Sequence, residues 1–521
     1  MTRRTSRTGQ RGAALAATAA LLLAGCGSTA QVRSTGGTSG LESGTDGGLS
    51  APTSPAAQGI TGGTTSTEGS PIGTAPTSQD PAQAGTTGQL TVGPSTPAGA
   101  TNPAGTKLPA KGRGWDAKNV YIGIVTVEDI HQYAGSLGVN FDPGSGVADG
   151  NAVMADINKH GGLLGRRVVP LYKDNRTTDV AANPEAVAQA VCTHFTQDRQ
   201  VIAVINLVAS LDTPNFRACM RKAKVPAIEF NGFDDSQTLR DFGPYLLTGW
   251  PSLDRIVPAT LTRLKAQGYF TGWNTRTSTA GPAPVKVGVL QPNNPIGQRT
   301  AARINAQLKA MGVTVASTFS YTDSAASYGT QMSSAVLQFA SAGVTHVISI
   351  PPVVAGMLIF TQSAEQQHYR PRYAMTTDLA PQVLALNAPA GQLIGSIGIG
   401  WSPAFDVNAA QDPRSKGAQR CLDILRRGGV TYKGDNQRFA EAAAYLLCDS
   451  VGFVVGGAAK TGGLTPEAIF AGATSLGASF PIAWSFQNAL SPTHPATGYA
   501  RDLHFDQSCT CFAYSGPQQR M

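Results

Sequence analysis

The chain has 521 residues, of which 41% are hydrophobic and 14% are charged, which is enough for two or three domains of ordinary size. Its formal net charge is +8, but no run of five or more lysine and arginine residues occurs. This mildly basic balance argues against a nucleic-acid-binding protein.

The first 25 residues predict a lipoprotein signal peptide. Basic residues such as Arg3 and Arg11 precede the apolar run GAALAATAALLLAG, which is too short to span a bilayer. The run leads into LAGC, which resembles the bacterial lipobox, in which the cysteine sulfur, here that of Cys26, receives a diacylglycerol. The alternative is an ordinary signal peptide with a chance cysteine. Acyl chains on Cys26 would anchor the mature protein to the extracellular face of the cell membrane.

Residues 26–115 predict a disordered tether rich in Gly, Ser, Thr and Pro. Residues 27–112 contain few charged residues and no aromatic residue, and the first aromatic side chain of the whole chain is that of Trp115. Such a segment cannot bury enough apolar surface to offset the entropy lost on folding. Its average reach would be about 50 Å, so we expect the folded part to begin near Trp115.

A first set of alternating strands and helices begins at Asn119. Runs of β-branched residues predict strands, and longer amphipathic patterns predict helices. In chain order they are strand 120–126, helix 147–159, strand 167–173, helix 184–197, strand 201–206, a helix that starts at Thr213-Pro214, and strand 227–230. This alternation is typical of a parallel α/β sheet.

The same alternation restarts after the break TGWNTRTSTAGPAP. Its elements are strand 285–290, helix 299–311, strand 313–319, helix 327–342, strand 346–350, helix 354–367 and strand 373–376. The sequence therefore predicts the α/β class, with two βαβ domains of similar build.

The glycines of ADINKHGGLLGRRV, Gly161, Gly162 and Gly165, have two possible roles. Glycines that cradle a phosphate lie between a strand and the N-terminus of the next helix. These three follow a predicted helix and precede a predicted strand. We therefore expect a helix-ending turn in which glycine adopts positive φ.

Residues 440–459, AEAAAYLLCDSVGFVVGGAA, are long and apolar enough to be tested as a membrane span. Glu441 and the central Asp449 would cost about 2.5 to 3.5 kcal/mol each at mid-bilayer. The segment therefore predicts a buried core helix.

The enzyme signatures G-x-S-x-G, H-E-x-x-H and G-x-x-x-x-G-K-[ST] are absent, so we predict no enzymatic activity, no cofactor and no metal.

Six cysteines remain besides Cys26, an even number in an exported chain, where disulfides persist. Sequence alone allows 15 pairings. Cys192 with Cys219, and Cys421 with Cys448, are favoured because the members of each pair lie on consecutive predicted helices.

The last two cysteines lie in the tripeptide CTC, Cys509 to Cys511. Their bridge requires a local turn, because in an extended strand their Cα atoms lie near the upper limit for a disulfide. The alternative is a metal site with His504 and Asp506, although the spacing fits no common zinc pattern.

The segment ADGNAVMADINKHGGLLGRRVVPLYKDNRTTD resembles the signature of type I periplasmic solute-binding proteins, the leucine/isoleucine/valine-binding family. The likeness extends more loosely over residues 119 to 515. The family implies two doubly wound lobes joined by three crossovers, which we place near Trp250, Trp401 and Pro481. The expected lobes are residues 116–250 plus 402–480 and residues 251–401 plus 481–521. The spacing of Cys192 and Cys219 is also similar to a disulfide of family members.

Candidate ligand-binding residues of the first lobe follow its third and fourth strands, where ligands of open α/β sheets bind. In NLVAS, Ser210 corresponds to the family serine that contacts the ligand carboxylate. The alternative for Ser210, and the favoured role for Asp212, is to cap the next helix. In EFNGFDDS, Asn231 and the backbone of Gly232 match further polar contacts of the family, and turn formation is the alternative.

In the second lobe, YAMTTDLA places Asp378 just past a strand. Amino-acid-binding members of the family carry there the acid that pairs with the ligand ammonium, although an ordinary loop or N-cap aspartate is the alternative. The first loop, VEDIHQYAGSLGVNFDPGSG, is longer than the family pattern and is expected to bring Tyr133 or His131 to the ligand.

Together these features predict an extracytoplasmic, lipid-anchored component of an ABC importer. It would bind a small polar solute, an amino acid or a related compound, and deliver it to the membrane permease. The alternative is a ligand-sensing or interaction lipoprotein of the same fold that is not coupled to transport.

Overall fold

The computed structural model of the chain describes residues 108–136, 139–229, 233–351, 354–488, 490 and 497–521. The predicted signal peptide, Cys26 and nearly all of the predicted tether lie outside the described residues, as do Asn231 and Gly232. Within residues 108–115, Trp115 forms backbone bridges to Gly112 and Val120. Ordered backbone pairing therefore begins slightly before the predicted end of the tether.

Five parallel strands form one sheet, in the order β2-β1-β3-β4-β5. They are β1 Asn119–Thr126, β2 Arg167–Asp174, β3 Ala203–Asn206, β4 Ala227–Glu229 and β5 Leu246–Thr248. The first four match predicted strands. The sequence analysis did not predict the three-residue strand β5.

Within the described residues, six α-helices connect these strands. They are α1 Ile130–Ser136, α2 Gly146–Lys159, α3 Thr177–Ala182, α4 Pro184–Thr193, α5 Pro214–Ala223 and α6 Ser236–Phe242. The helix predicted over residues 184–197 is α4 followed by a π-helical turn, His194–Asp198.

A second sheet has seven strands, in the order β14-β13-β12-β11-β10-β8-β9, and the break before it holds the separate hairpin β6 Trp273–Asn274 and β7 Thr279–Ala280. The strands of the second sheet are β8 Lys286–Pro292, β9 Thr314–Tyr321, β10 His346–Ser349, β11 Arg372–Thr376, β12 Ile397–Gly400, β13 Tyr499–Asp506 and β14 Cys511–Arg520. The strands β8 to β12 pair in parallel, whereas β13 and β14 are antiparallel additions at one edge.

Ten further α-helices follow β5 in the part of the chain that the structure describes. Those before β12 are α7 Leu253–Ala266, α8 Pro295–Ala310, α9 Ala325–Ser341, α10 Val354–Gln366, α11 Pro381–Asn387 and α12 Ala390–Leu393. Those after β12 are α13 Pro403–Asp406, α14 Lys416–Arg427, α15 Arg438–Thr461 and α16 Pro466–Thr474. Both α14 and α15 pack against α2, and α15 also packs against β3. We call the five-stranded sheet with α1–α6 and α14–α16 the first lobe, and the seven-stranded sheet with α7–α12 the second lobe.

Three buried tryptophans cluster where the chain passes between the lobes. Trp250 follows β5, Trp401 follows β12 and Trp484 precedes β13. Trp250 stacks on Trp484 with ring centroids 4.7 Å apart, and it meets Trp401 edge-on at 6.2 Å. The crossovers are therefore packed against one another through their indole rings.

The helix α15 lies in Asp435–Thr461, which among the described residues is long and apolar enough to cross a membrane. Of its most apolar window, 78% is buried inside the protein. Asp449 accepts hydrogen bonds from the backbone N–H groups of Ala483 and Trp484, at 2.9 and 3.1 Å. The segment is thus the buried core helix that the sequence predicts.

The three glycines of GGLLG lie in the turn between α2 and β2. Gly161, Gly162 and Gly165 have φ of 100°, 70° and 74°. A Cβ atom on Gly162 would lie 2.0 Å from the carbonyl oxygen of Arg166. The prediction of a helix-ending turn is confirmed, and these glycines do not precede a helix.

The described residues contain three disulfides: Cys192–Cys219, Cys421–Cys448 and Cys509–Cys511, with Cα–Cα distances of 6.4, 6.1 and 5.2 Å. The first two are the pairs favoured by the sequence. The third closes the turn between β13 and β14. Its bridge leaves no thiolate for the alternative metal site, which is therefore wrong.

Candidate functional site

A cavity of about 370 Å³ lies between the two lobes. From the first lobe it is lined by residues just after β1 and β3, and from the second lobe by residues just after β9 and β11. These are the carboxyl ends of parallel strands, where open α/β sheets bind their ligands. The topology therefore brings together short segments that are far apart in the sequence.

Aromatic rings form much of the wall of this cavity. The ring centroids of Phe141 and Phe439 are 4.5 Å apart, and those of Phe405 and Phe439 are 5.0 Å apart. Phe233, Trp250 and smaller aliphatic side chains complete the apolar surface. Such a wall favours a ligand with an apolar body.

Four carboxyl-bearing side chains also line the cavity. Glu128 and Asp149 belong to the first lobe, and Asp323 and Asp378 to the second. Among the described lining residues there is no lysine, arginine or histidine. The charged groups that the described cavity presents are therefore acidic on both sides.

Asp378 lies in a short 3-10 helix after β11 and is only 4% exposed. Its Oδ1 accepts a hydrogen bond of 2.6 Å from the indole Nε1 of Trp250, whereas its buried Oδ2 has no hydrogen-bond partner. Burial raises the pKa of this carboxyl group to about 7, and the bond from Trp250 opposes the rise. The N-cap alternative is wrong, because Thr376 is the N-cap of the 3-10 helix and Ala380 is that of α11.

Asp149 is the corresponding buried acid of the first lobe, in the first turn of α2. The hydroxyl of Tyr432 donates to its Oδ1 at 2.5 Å. Burial raises the pKa of Asp149 to about 7, the bond from Tyr432 lowers it, and the charge of Glu128 raises it further. Glu128 itself accepts a hydrogen bond from the hydroxyl of Ser145, also 2.5 Å.

Ser210 lies on the cavity wall, in the 3-10 turn Ala209–Leu211, and is exposed. Its hydroxyl has no hydrogen-bond partner among the described residues. The expectation that Asp212 caps α5 is wrong, because Thr213 accepts the hydrogen bond from the N–H of Phe216. The cap shifts by one residue because the 3-10 turn ends at Leu211 and leaves Thr213 just before the helix.

The first loop contributes other residues than expected. Tyr133 lies on α1, only partly buried, and does not line the cavity, whereas Ile130 at the start of that helix does. His131 is exposed and its Nδ1 lies 2.9 Å from the carbonyl oxygen of Phe141. Phe141, further along the same segment, lines the cavity. Asn231 and Gly232 lie outside the described residues, although their neighbour Phe233 lines the cavity.

Sequence reasoning missed Glu128, Asp149 and Trp250. Glu128 lies two residues beyond β1, so the rule that ligands bind at the carboxyl ends of strands could have identified it. Asp149 has the pattern of an ordinary acid in a first helical turn. Trp250 was assigned only to a crossover.

Among the described residues, no group of three or more His, Cys, Asp and Glu side chains could hold a metal ion.

A family model described as periplasmic binding protein matches residues 142–481 of the chain. Similar solved structures include a solute-binding protein of an ABC transporter from R. palustris in complex with 4-hydroxybenzoate, with 15% identity and a TM-score of 0.54; the match covers 77% of this chain and 97% of that one. Another is a fatty acid ABC transporter substrate-binding protein from Thermomonospora curvata, with 13% identity and a TM-score of 0.55, covering 81% and 97%.

An ABC transporter substrate-binding protein from Desulfitobacterium hafniense, in complex with Leu, has 14% identity and a TM-score of 0.50, covering 76% and 100%. None of the curated proteins compared with the chain matches it. At these identities the solved structures show the fold, which is the two-lobed α/β architecture that the sequence predicts.

Proposed function

Because the chain belongs to the periplasmic binding protein family, we propose that it is the extracytoplasmic, lipid-anchored solute-binding component of an ABC importer. The observation that supports this proposal most is the cavity between the lobes, at the carboxyl ends of strands from both sheets. A ligand in that position contacts both lobes, so its binding free energy favours the closed arrangement. Closure then presents the loaded protein to a permease in the membrane.

The solute proposed from the sequence is an amino acid or a related small compound. Relatives of the same fold bind 4-hydroxybenzoate, Leu and, by description, a fatty acid, so the fold accepts several solute classes. In this chain the aromatic wall and a volume of about 370 Å³ favour a compact solute with an apolar body.

A thermal-shift screen of the purified full chain against amino acids, amides, amines and organic acids tests solute binding. A ligand at about a hundred times its dissociation constant should add about 2.7 kcal/mol of stability. Ser210→Trp, which fills the cavity, should abolish the shift. Ser334→Trp, on an exposed site of α9, is the matched control and should retain it.

Transport is tested separately, by uptake of the bound solute in cells that lack the chain. Uptake should be lost and should return with the unaltered chain but not with Ser210→Trp. Full uptake without the chain would contradict the importer role and would favour a ligand-sensing lipoprotein.

The anchor is proposed from the sequence of residues 1–26 and is tested by detergent partitioning. The unaltered chain should enter the detergent phase, and Cys26→Ala should remain in the aqueous phase. Equal partitioning of both into the aqueous phase would refute lipidation.

A further inference from the structure

The strongest unexplained feature of the cavity is its charge. Acidic side chains line it from both lobes, and the described lining contains no basic side chain to neutralise them. Burial disfavours the charged form of such carboxyl groups, and the described lining offers no cation to offset this penalty. A positively charged ligand between the walls removes this penalty.

The second observation is the unsatisfied oxygen of Asp378. This residue is nearly fully buried, and only its Oδ1 has a partner, the indole N–H of Trp250. The Oδ2 atom accepts no hydrogen bond within the described residues. A buried carboxylate oxygen without a donor costs free energy, and an ammonium group supplies both the donor and the charge.

The surrounding rings suit the same ligand. Trp250, Phe405 and Phe439 belong to the cavity wall beside the carboxyl groups. Aromatic faces attract cations and at the same time bury apolar surface. An amine with an apolar body therefore meets complementary groups at both of its ends.

The described cavity offers a ligand carboxylate few hydrogen-bond donors and no basic side chain. The hydroxyls of Thr126, Tyr328 and Thr377 already donate to carboxyl groups of the protein. Among the described lining residues, Ser210 has the hydroxyl group that is still free to donate a hydrogen bond to a ligand. An anion held there would face Glu128, Asp149 and Asp378 without a basic side chain among the described wall residues.

We propose that the solute of this site is an apolar primary amine that carries no carboxylate, and that its ammonium group binds Asp378. This inference rests on the proposed function as a solute-binding protein. It narrows the solute class from amino acids and related compounds to cations.

The test is isothermal titration of the purified full chain with two matched sets of compounds. One set is 2-phenylethylamine, phenylalanine, 3-phenylpropanoate and 2-phenylethanol, and the other is isopentylamine, leucine, 4-methylpentanoate and isopentanol. Within each set the apolar body is kept and the charge changes. At least one amine should bind, and it should bind at least about tenfold more tightly than its amino acid, acid and alcohol counterparts.

Two variants locate the ammonium group. Asp378→Asn keeps an oxygen that can accept the bond from Trp250 but removes the charge, and it should weaken amine binding by about thirty-fold or more. Asp198→Asn removes a charge of the same sign from an exposed side chain outside the cavity and should leave the affinity within about twofold.

The outcomes separate the inference from the proposed function. Tighter binding of an amino acid, acid or alcohol than of its amine overturns the inference and leaves a solute-binding protein. Amine binding that is unchanged in Asp378→Asn also overturns the assigned contact. If no compound of either set binds, the amine assignment falls, and the thermal-shift screen and the uptake assay decide the proposed function independently.

Discussion

The indole Nε1 of Trp250 donates a hydrogen bond of 2.6 Å to Oδ1 of Asp378, a residue 128 positions away in the chain. Trp250 follows the last strand of the first sheet and stacks on Trp484, which lies on another crossover. The bond thus links a carboxyl group of the cavity to the aromatic cluster between the lobes. It gives a direct physical connection between the ligand site and the segments that move when such lobes close.

Replacing Trp250 with phenylalanine should destabilise the unliganded protein. The substitution keeps an aromatic ring for Trp484 but leaves both oxygens of Asp378 without a donor, which typically costs about 1 to 3 kcal/mol. The free energy of unfolding measured with denaturant reports this loss. Trp484→Phe is the matched control, because the Nε1 of Trp484 has no hydrogen-bond partner in the described residues. Equal losses in the two variants would show that the bond to Asp378 contributes nothing.

The stability of the unliganded protein should decrease as the pH rises from about 5.5 to 7. Burial raises the pKa of Asp378 from its usual 3.8 to about 7, so the folded state holds a proton that the unfolded state has released. This difference amounts to about 2 kcal/mol over that interval. Asp149 acts in the same direction, since its pKa is also raised to about 7, and Asp406 faces Asp378 as a further acid.

Denaturant unfolding of the ligand-free chain at about pH 5.5 and pH 7 measures the effect, and Asp378→Asn should reduce the difference. If the variant retained the whole pH dependence, Asp378 would be ionised in the folded protein with an ordinary pKa.

The two long disulfides should contribute more stability than the short one. Cys192–Cys219 and Cys421–Cys448 each span 27 residues, and loops of that length correspond to about 3 to 4 kcal/mol of lost entropy in the unfolded chain. Cys509–Cys511 spans only two and should contribute about half as much or less. Comparing the free energies of unfolding of the three double Cys→Ala variants tests this order, which a larger loss at Cys509–Cys511 would reverse.

The sequence predicted the parts of this fold that depend on neighbouring residues. Alternating apolar runs located β1 to β4 and β8 to β11, and the order of helix and strand identified Gly162 as part of a turn. Asp378 was found because it follows a predicted strand. In each case the relevant pattern lies within a few residues of the chain.

The rest of the candidate site depends on contacts between distant residues. Asp149 is recognisable as a site residue only because Tyr432, 283 positions later, covers it. The residues next to Trp250 and Asp378 in the sequence likewise do not indicate that these two side chains form a hydrogen bond. The ring of Phe141 packs against that of Phe439, which lies 298 positions later in the chain. None of these features changes the local periodicity, so they could not be read from one sequence.

The last prediction concerns Arg217, which forms ion pairs with Glu229 at the end of β4 and with Asp234 further along the chain. Its guanidinium group lies 2.5 Å from Glu229 and 2.8 Å from Asp234, and all three side chains are at most 6% exposed. Arg217→Met keeps the apolar length but leaves two buried acids without their cation, which typically costs about 3 to 5 kcal/mol.

The surface pair of Arg426 and Asp423 is the control. The side chain of Arg426 is 60% exposed, so Arg426→Gln should change stability by less than about 1 kcal/mol. Because Asp234 is the chain neighbour of Phe233, which lines the cavity, Arg217→Met should also weaken solute binding, whereas Arg426→Gln should not. A stability change at Arg217 as small as that at Arg426 would mean that its ion pairs with Glu229 and Asp234 contribute no net stability.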